Sequence, residues 1–286
     1  MIDGMLLLWY LLTAGCLVFL IYDMFTNTPL MGVMKLAWFL IVLYSGPIGL
    51  LVYLLSCRQP LPGTHDRFIA AHWKQTVGSI MHCVAGDATG IIVAAAALYY
   101  FTYPNGIDLI VEYLTAFAFG LFIFQALFMK DMMGGDYLLA VRKTFYAETV
   151  SMNMVMTGMI PVMVILTEHL PGSDDPTSPR FWAVMSIAAT VGAIVGYPVN
   201  SWMVKRGLKH GMMSPNMGGD MGDMDMGGDP VPATSPDHGA GGTEGSTEGA
   251  VGASVPQTTL VAVFVFTVAC LLAGVWLASN FVELNF

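Results

Sequence analysis

The chain has 286 residues, of which 56% are hydrophobic and 11% charged, and its mean hydropathy is +0.66. That composition belongs to an integral, multi-pass cell-membrane protein and sets aside a water-soluble domain. A formal net charge of −9, drawn largely from one acidic loop, argues against nucleic-acid binding.

Seven segments, near 5–25, 36–56, 77–102, 108–129, 145–167, 181–204 and 257–279, are long enough to cross about 30 Å of hydrocarbon, which takes about 20 helical residues. The expected fold is therefore all-α, with the lipid bilayer as the first partner. Residues 1–60 form two N-terminal spans, 61–211 a four-helix membrane domain, 212–256 a flexible loop, and 257–286 a last span. The first span has Asp3 where a signal peptide would carry basic residues, so it reads as a retained helix. Between 64 and 76, Phe68, Ile69, His72 and Trp73 share one side, as in an interfacial helix leading into the third span.

The third span contains HCVAGDATG, with His82, Cys83 and Asp87. A charge at the bilayer midplane costs roughly 2.5–3.5 kcal/mol on insertion scales, so Asp87 is expected to face protein or water. Cys83 and Asp87 are four apart and share a face, while Gly86 and Gly90 let a neighbouring helix approach. Glu112 enters the fourth span from the far side. Glu148 is expected at the foot of the fifth, and Asp87, Glu148 and Glu112 are candidates for a charge or proton relay.

Above Glu148, Met152, Met156, Met159 and Met163 recur at spacings of four, three and four. At about 100° per residue, Glu148 and these four side chains fall within roughly 80°, and the Met residues climb about 16 Å. Such a thioether ladder suits a soft ion such as Cu(I), and it equally suits packing, because Met fills irregular gaps. Packing does not account for MGGDMGDMDMGGD at 217–229, where Met217, Met221, Met224 and Met226 stand in a Gly-rich acidic loop. That loop reads as a metal collector or as a low-complexity linker.

Four Cys residues without CxxC spacing suggest no disulfide framework. In a seven-span chain Arg58, Arg67, Lys74, Lys130, Arg142, Lys143, Lys205, Arg206 and Lys209 fall on one side, against Lys35 and Arg180 on the other. The positive-inside rule then makes the N-terminus and the Met-rich loop cytoplasmic and the C-terminus external. All six Trp fall near expected membrane boundaries, where amphipathic rings sit.

HCVAGDATG, AFAFGLFIFQALFM at 116–129, AETVSMNMVM at 147–156 and YPVNSWMVKRGLKHG at 197–211 together resemble, in order, the domain of unknown function family 4396. The resemblance covers about 75–211 and implies a four-helix membrane domain without an established activity, loosely associated with copper handling. His82 and Cys83 match the family pattern. Asp87 stands where a second Cys is usual, Ile91 where an acid is common, and Glu148 where a similar Asp is found, so a cysteine-pair site does not carry over.

The reading that follows is a membrane protein that binds and moves Cu(I), with His82, Cys83 and the Met residues as ligands and a copper-handling protein or membrane enzyme as partner. A proton-coupled permease for a small solute and a non-catalytic assembly subunit are the alternatives. An enzyme is less favoured, since the chain has no nucleophile elbow, phosphate-binding Gly loop or HExxH.

Overall fold

The computed structural model describes residues 2–101, 105–130, 135–212 and 255–282. All the regular secondary structure among the described residues is helical, as hydrocarbon requires of a chain that must satisfy its own backbone. The elements are α1 (Ile2–Thr26), α2 (Gly32–Ser56), α3 (His65–Ile69), α4 (His72–Leu98), α5 (Asn105–Ala118), a π-helical stretch (Phe119–Gln125), α6 (Ala126–Lys130), α7 (Tyr137–His169), α8 (Pro179–Lys205) and α9 (Gln257–Ser279). Among the described residues, seven helices, with α5 to α6 counted as one, are long and apolar enough to cross a membrane.

Local chemistry sets several boundaries. Asp136 caps α7 by accepting from the Leu139 amide at 3.0 Å, so this helix starts at Tyr137, well before the expected 145. Ser178 caps α8 in the same way, with Pro179 in the first turn. The expected interfacial helix is broken in two. The five residues of α3 end at Ile69, whose carbonyl accepts from Gln75, and His72 already belongs to α4.

The largest departure from expectation is α2, which folds back on itself. Gly46 has φ 54° and ψ −130°, Pro47 follows, and the Trp38 and Tyr53 rings lie 5.3 Å apart. Fifteen residues of continuous helix would separate them by about 22 Å. Both ends of α2 therefore meet the C-terminal end of α1. There the Lys35 ammonium lies over the Phe25 ring, Asn27 donates to the Gln59 carbonyl, and Asp23 accepts from Thr28, Tyr53 and Arg58 at 2.7–2.9 Å. Trp38 is fully buried in this hairpin, so it is not an interfacial anchor as expected from its position.

The fold-back changes the relation between the helix ends. Lys35 joins the other basic residues, leaving only Arg180 of the 11 Lys and Arg at the opposite end. Tyr10 donates to the Pro179 carbonyl, so the start of α1 lies beside the start of α8, away from the basic end. The expectation of a first span beginning on the basic side assumed a crossing α2. Helix α9 runs parallel to α7, with Tyr146 donating to the Leu260 carbonyl and Asn153 to Thr267, and Gly274 lies against Thr157.

Four helical rods, α4, α5 to α6, α7 and α8, make the core that positions the site. Their close approach depends on small residues: a Cβ at Gly86 would stand 2.7 Å from Gly120 Cα, and one at Gly90 2.5 Å from Ala116 Cα. Any side chain there would push α4 off α5.

Candidate functional site

A buried polar cluster forms where α4, the π-helical stretch, α7 and α8 meet. Cys83 and Asp87 come from one face of α4, and Glu148 faces them from α7; all three have essentially no exposure. The Cys83 thiol donates to Glu148 Oε2 at 3.2 Å, and Gln125 donates to the same oxygen at 2.9 Å. A Cβ at Gly120 would collide with Glu148 Oε1 and lie 3.2 Å from Asp87 Oδ1, so the two carboxylates flank the space that this glycine leaves. Glu148 Oε1 and both Asp87 oxygens have no hydrogen-bond partner among the described residues.

The π-helical stretch explains how Gly120 and Gln125 both reach Glu148. In an α-helix, residues five apart point about 140° away from each other. The wider turn of a π-helix realigns them, a device often found at functional sites.

The basic end closes over the cluster. After α8 the chain reverses at Gly207, whose φ of 69° lies in the left-handed region that glycine enters without steric cost, and residues 208–212 tuck back against α4. Met212 fits against Gly78, and Gly211 against Gln75. Lys209 is 5% exposed; its ammonium touches the Cys83 sulfur, donates to Asn200 Oδ1 at 2.9 Å and stands 4.0 Å from Glu148 Oε2. Asn200 is held in turn by Ser151, which donates to Oδ1 at 3.0 Å, and by its own donation to the Gly196 carbonyl. Burial lowers the affinity of the neighbouring His210 imidazole for a proton, so the tail brings in Lys209 as its charge.

The sequence-predicted residues divide between several places. Cys83, Asp87 and Glu148 converge, and Glu148 is not a hydrated foot residue: it lies eleven residues inside α7. His82 turns away, with Nε2 against the Met34 sulfur and its ring edge-on to Phe128 at 4.6 Å. Met152, Met156 and Met159 are buried in the apolar core, Met159 lying against the notch at Gly192. Met217, Met221, Met224 and Met226 lie outside the described residues. No group of three or more His, Cys, Asp or Glu side chains able to hold a metal ion occurs among those described.

Glu112 lies apart from Asp87 and Glu148, at the end of the bundle away from the basic residues. It lines a cavity of about 530 Å³ together with Asp108, Met163, Glu168, Asp174 and Tyr99. The ladder on α7 thus begins one turn above Glu148 in the polar cluster and ends with Met163 in an acidic cavity.

Sequence reasoning missed Lys209, Gln125 and the Ser151–Asn200 pair. Asn200 had a signal, since it stands in the PVNSW block, whereas Lys209 counted only as a loop charge. Asp23, inside the first span, was also passed over; its several donors give it a structural role.

Comparison with known proteins is sparse: no curated protein and no solved structure matches the chain. One family profile does match, over residues 72–209, from the first residue of α4 to the lysine that closes the cluster. Over this four-helix unit the chain is similar to the domain of unknown function family DUF4396.

Proposed function

We propose that this protein carries a soft monovalent cation, Cu(I) by its ligand chemistry, between the Cys83–Glu148 cluster and the acidic cavity at the other end of the bundle. The observation that supports the reading is the course of the thioether face of α7, which joins the two. Thioethers favour Cu(I) over hard ions, and a neutral ladder eases desolvation of a single charge without holding it as tightly as thiolates would.

In this reading Cys83 is the entry ligand. Its S–H already points at Glu148 Oε2, so metal binding at sulfur transfers the thiol proton to that carboxylate, which is neutralised as the cluster gains the ion's single positive charge. Asp87, across Gly120, is the next proton acceptor. The positive-inside rule makes the basic end cytoplasmic, and the Met217–Met226 stretch would concentrate the ion there by tethering. A copper-handling protein or membrane enzyme would deliver or receive the cargo.

A second reading, a proton-coupled permease for a small solute, is favoured by the burial of Met152, Met156 and Met159 among apolar neighbours. There Asp87 and Glu148 relay protons, and the cavity at Glu112 takes the solute. Uptake of Ag(I) into vesicles containing the purified protein tests between them. Uptake that falls in Cys83→Ser and in Glu148→Gln supports the carrier; proton flux without any Ag(I) uptake by the parent protein would replace it with the permease.

A further inference from the structure

The most unusual charge in the molecule is Lys209. It follows the last turn of α8, where a lysine would ordinarily extend into water, yet the chain reverses at Gly207 and carries it back among α4, α7 and α8. Its ammonium is held by a thiol, an amide oxygen and a carboxylate, with Cys83 Sγ, Asn200 Oδ1 and Glu148 Oε2 all within 4.0 Å. Two of those atoms are the ones assigned above to the entry of a cation.

We infer that residues 207–212 are an autoinhibitory plug, in which the Lys209 ammonium is a tethered cation that holds the Cys83–Glu148 site against cations arriving from the basic end. The inference rests on the reading of that site as a cation site. Three features make the segment removable. It is not part of a helix, it is joined to α8 through a glycine turn, and its seat on α4 is shaped by glycine: a Cβ at Gly78 would stand 2.6–2.8 Å from Met212. The ammonium also keeps Glu148 paired while the plug is in, which lowers the cost of a buried carboxylate.

The plug predicts that Cys83 is shielded, and this can be measured without any metal. In protein whose other cysteines, Cys16, Cys57 and Cys270, are replaced by Ala, alkylation of Cys83 by N-ethylmaleimide is compared between the parent, Lys209→Met and Gly78→Leu. Gly78→Leu keeps Lys209 and Glu148 intact, improves the helix propensity of α4 and displaces Met212. Both variants should label roughly tenfold faster, as expected when the closed form no longer dominates the population. Loss of the neighbouring ammonium would by itself make the thiol less reactive, so acceleration in Lys209→Met reports access and not activation.

Folded Gly78→Leu protein with parental labelling overturns the plug, and it decides the question if Lys209→Met does not fold. The cargo is tested separately, by Ag(I) titration of the same proteins. The plug expects tighter apparent Ag(I) affinity in Gly78→Leu, the variant that adds no sulfur ligand beside Cys83. Accelerated labelling with no Ag(I) binding in any of them would keep the plug and remove the soft-cation carrier.

Discussion

Two buried aspartates show how partners separate structure from function. Asp23 accepts from Thr28, Tyr53 and Arg58, and those bonds tie α1 to both ends of α2. Asp87 is at least as well buried, and neither of its oxygens has a partner among the described residues. A buried acid that ties nothing together costs stability and is expected where chemistry needs it. Asp23→Leu should therefore lower stability in detergent by roughly 1.5–3 kcal/mol, the range for hydrogen bonds to charged groups. Asp87→Leu should insert and melt like the parent while abolishing cation uptake. A large loss of thermal stability in Asp87→Leu would make that residue a structural acid as well. The motif HCVAGDATG made Cys83 and Asp87 legible from sequence, because an ionisable side chain inside a span is rare and four-residue spacing aligns the thiol with it. Gln125 was not legible. Its approach to Glu148 depends on the π-helical turn, and an α-helical reading directs it away from Gly120.

At the scale of elements, hydropathy identified every long apolar segment and most boundaries within a few residues. It could not tell a helix that crosses from one that returns: Gly32–Ser56 has 25 residues and is long and apolar enough for either. The sequence signal is the Gly46–Pro47 pair, and only tertiary contacts decide its meaning. The reversal is enforced sterically, because a Cβ at Gly46 would meet Thr13 Oγ1 as well as face the unfavourable backbone angles. Gly46→Ala should destabilise by about 1–3 kcal/mol. A topological measurement is more direct. Single cysteines introduced by Gly32→Cys and Leu61→Cys, both at exposed positions, should react with an impermeant thiol reagent from the same side of the membrane, and Tyr100→Cys from the other. Opposite-side labelling of Gly32→Cys and Leu61→Cys would mean that α2 crosses.

For the whole molecule, the open question is whether the stripe on α7 conducts or packs, and its spacing is common to both. The spacing of Glu148 and the four Met residues was fully readable, as was their sharing of one helical face. What they connect was not, since neither the position of α5 to α6 against α7 nor the cavity around Met163 follows from periodicity along one helix. Substitution by Leu separates the two roles, because Leu nearly conserves the volume and hydrophobicity of Met and removes only the sulfur. Met156 and Met159, at the middle of the ladder, are both essentially unexposed. The double change Met156→Leu and Met159→Leu should cost less than about 1.5 kcal/mol per site in thermal or denaturant unfolding. If the thioethers carry the ion, Ag(I) uptake should fall sharply while Ag(I) binding at Cys83 persists, because the entry ligand is untouched. Hard divalent ions should show no difference, since thioethers contribute little to their binding. Parental Ag(I) uptake by the folded double variant would make the stripe core packing and leave the Asp87–Glu148 pair, with protons as its traffic, as the working part of the bundle.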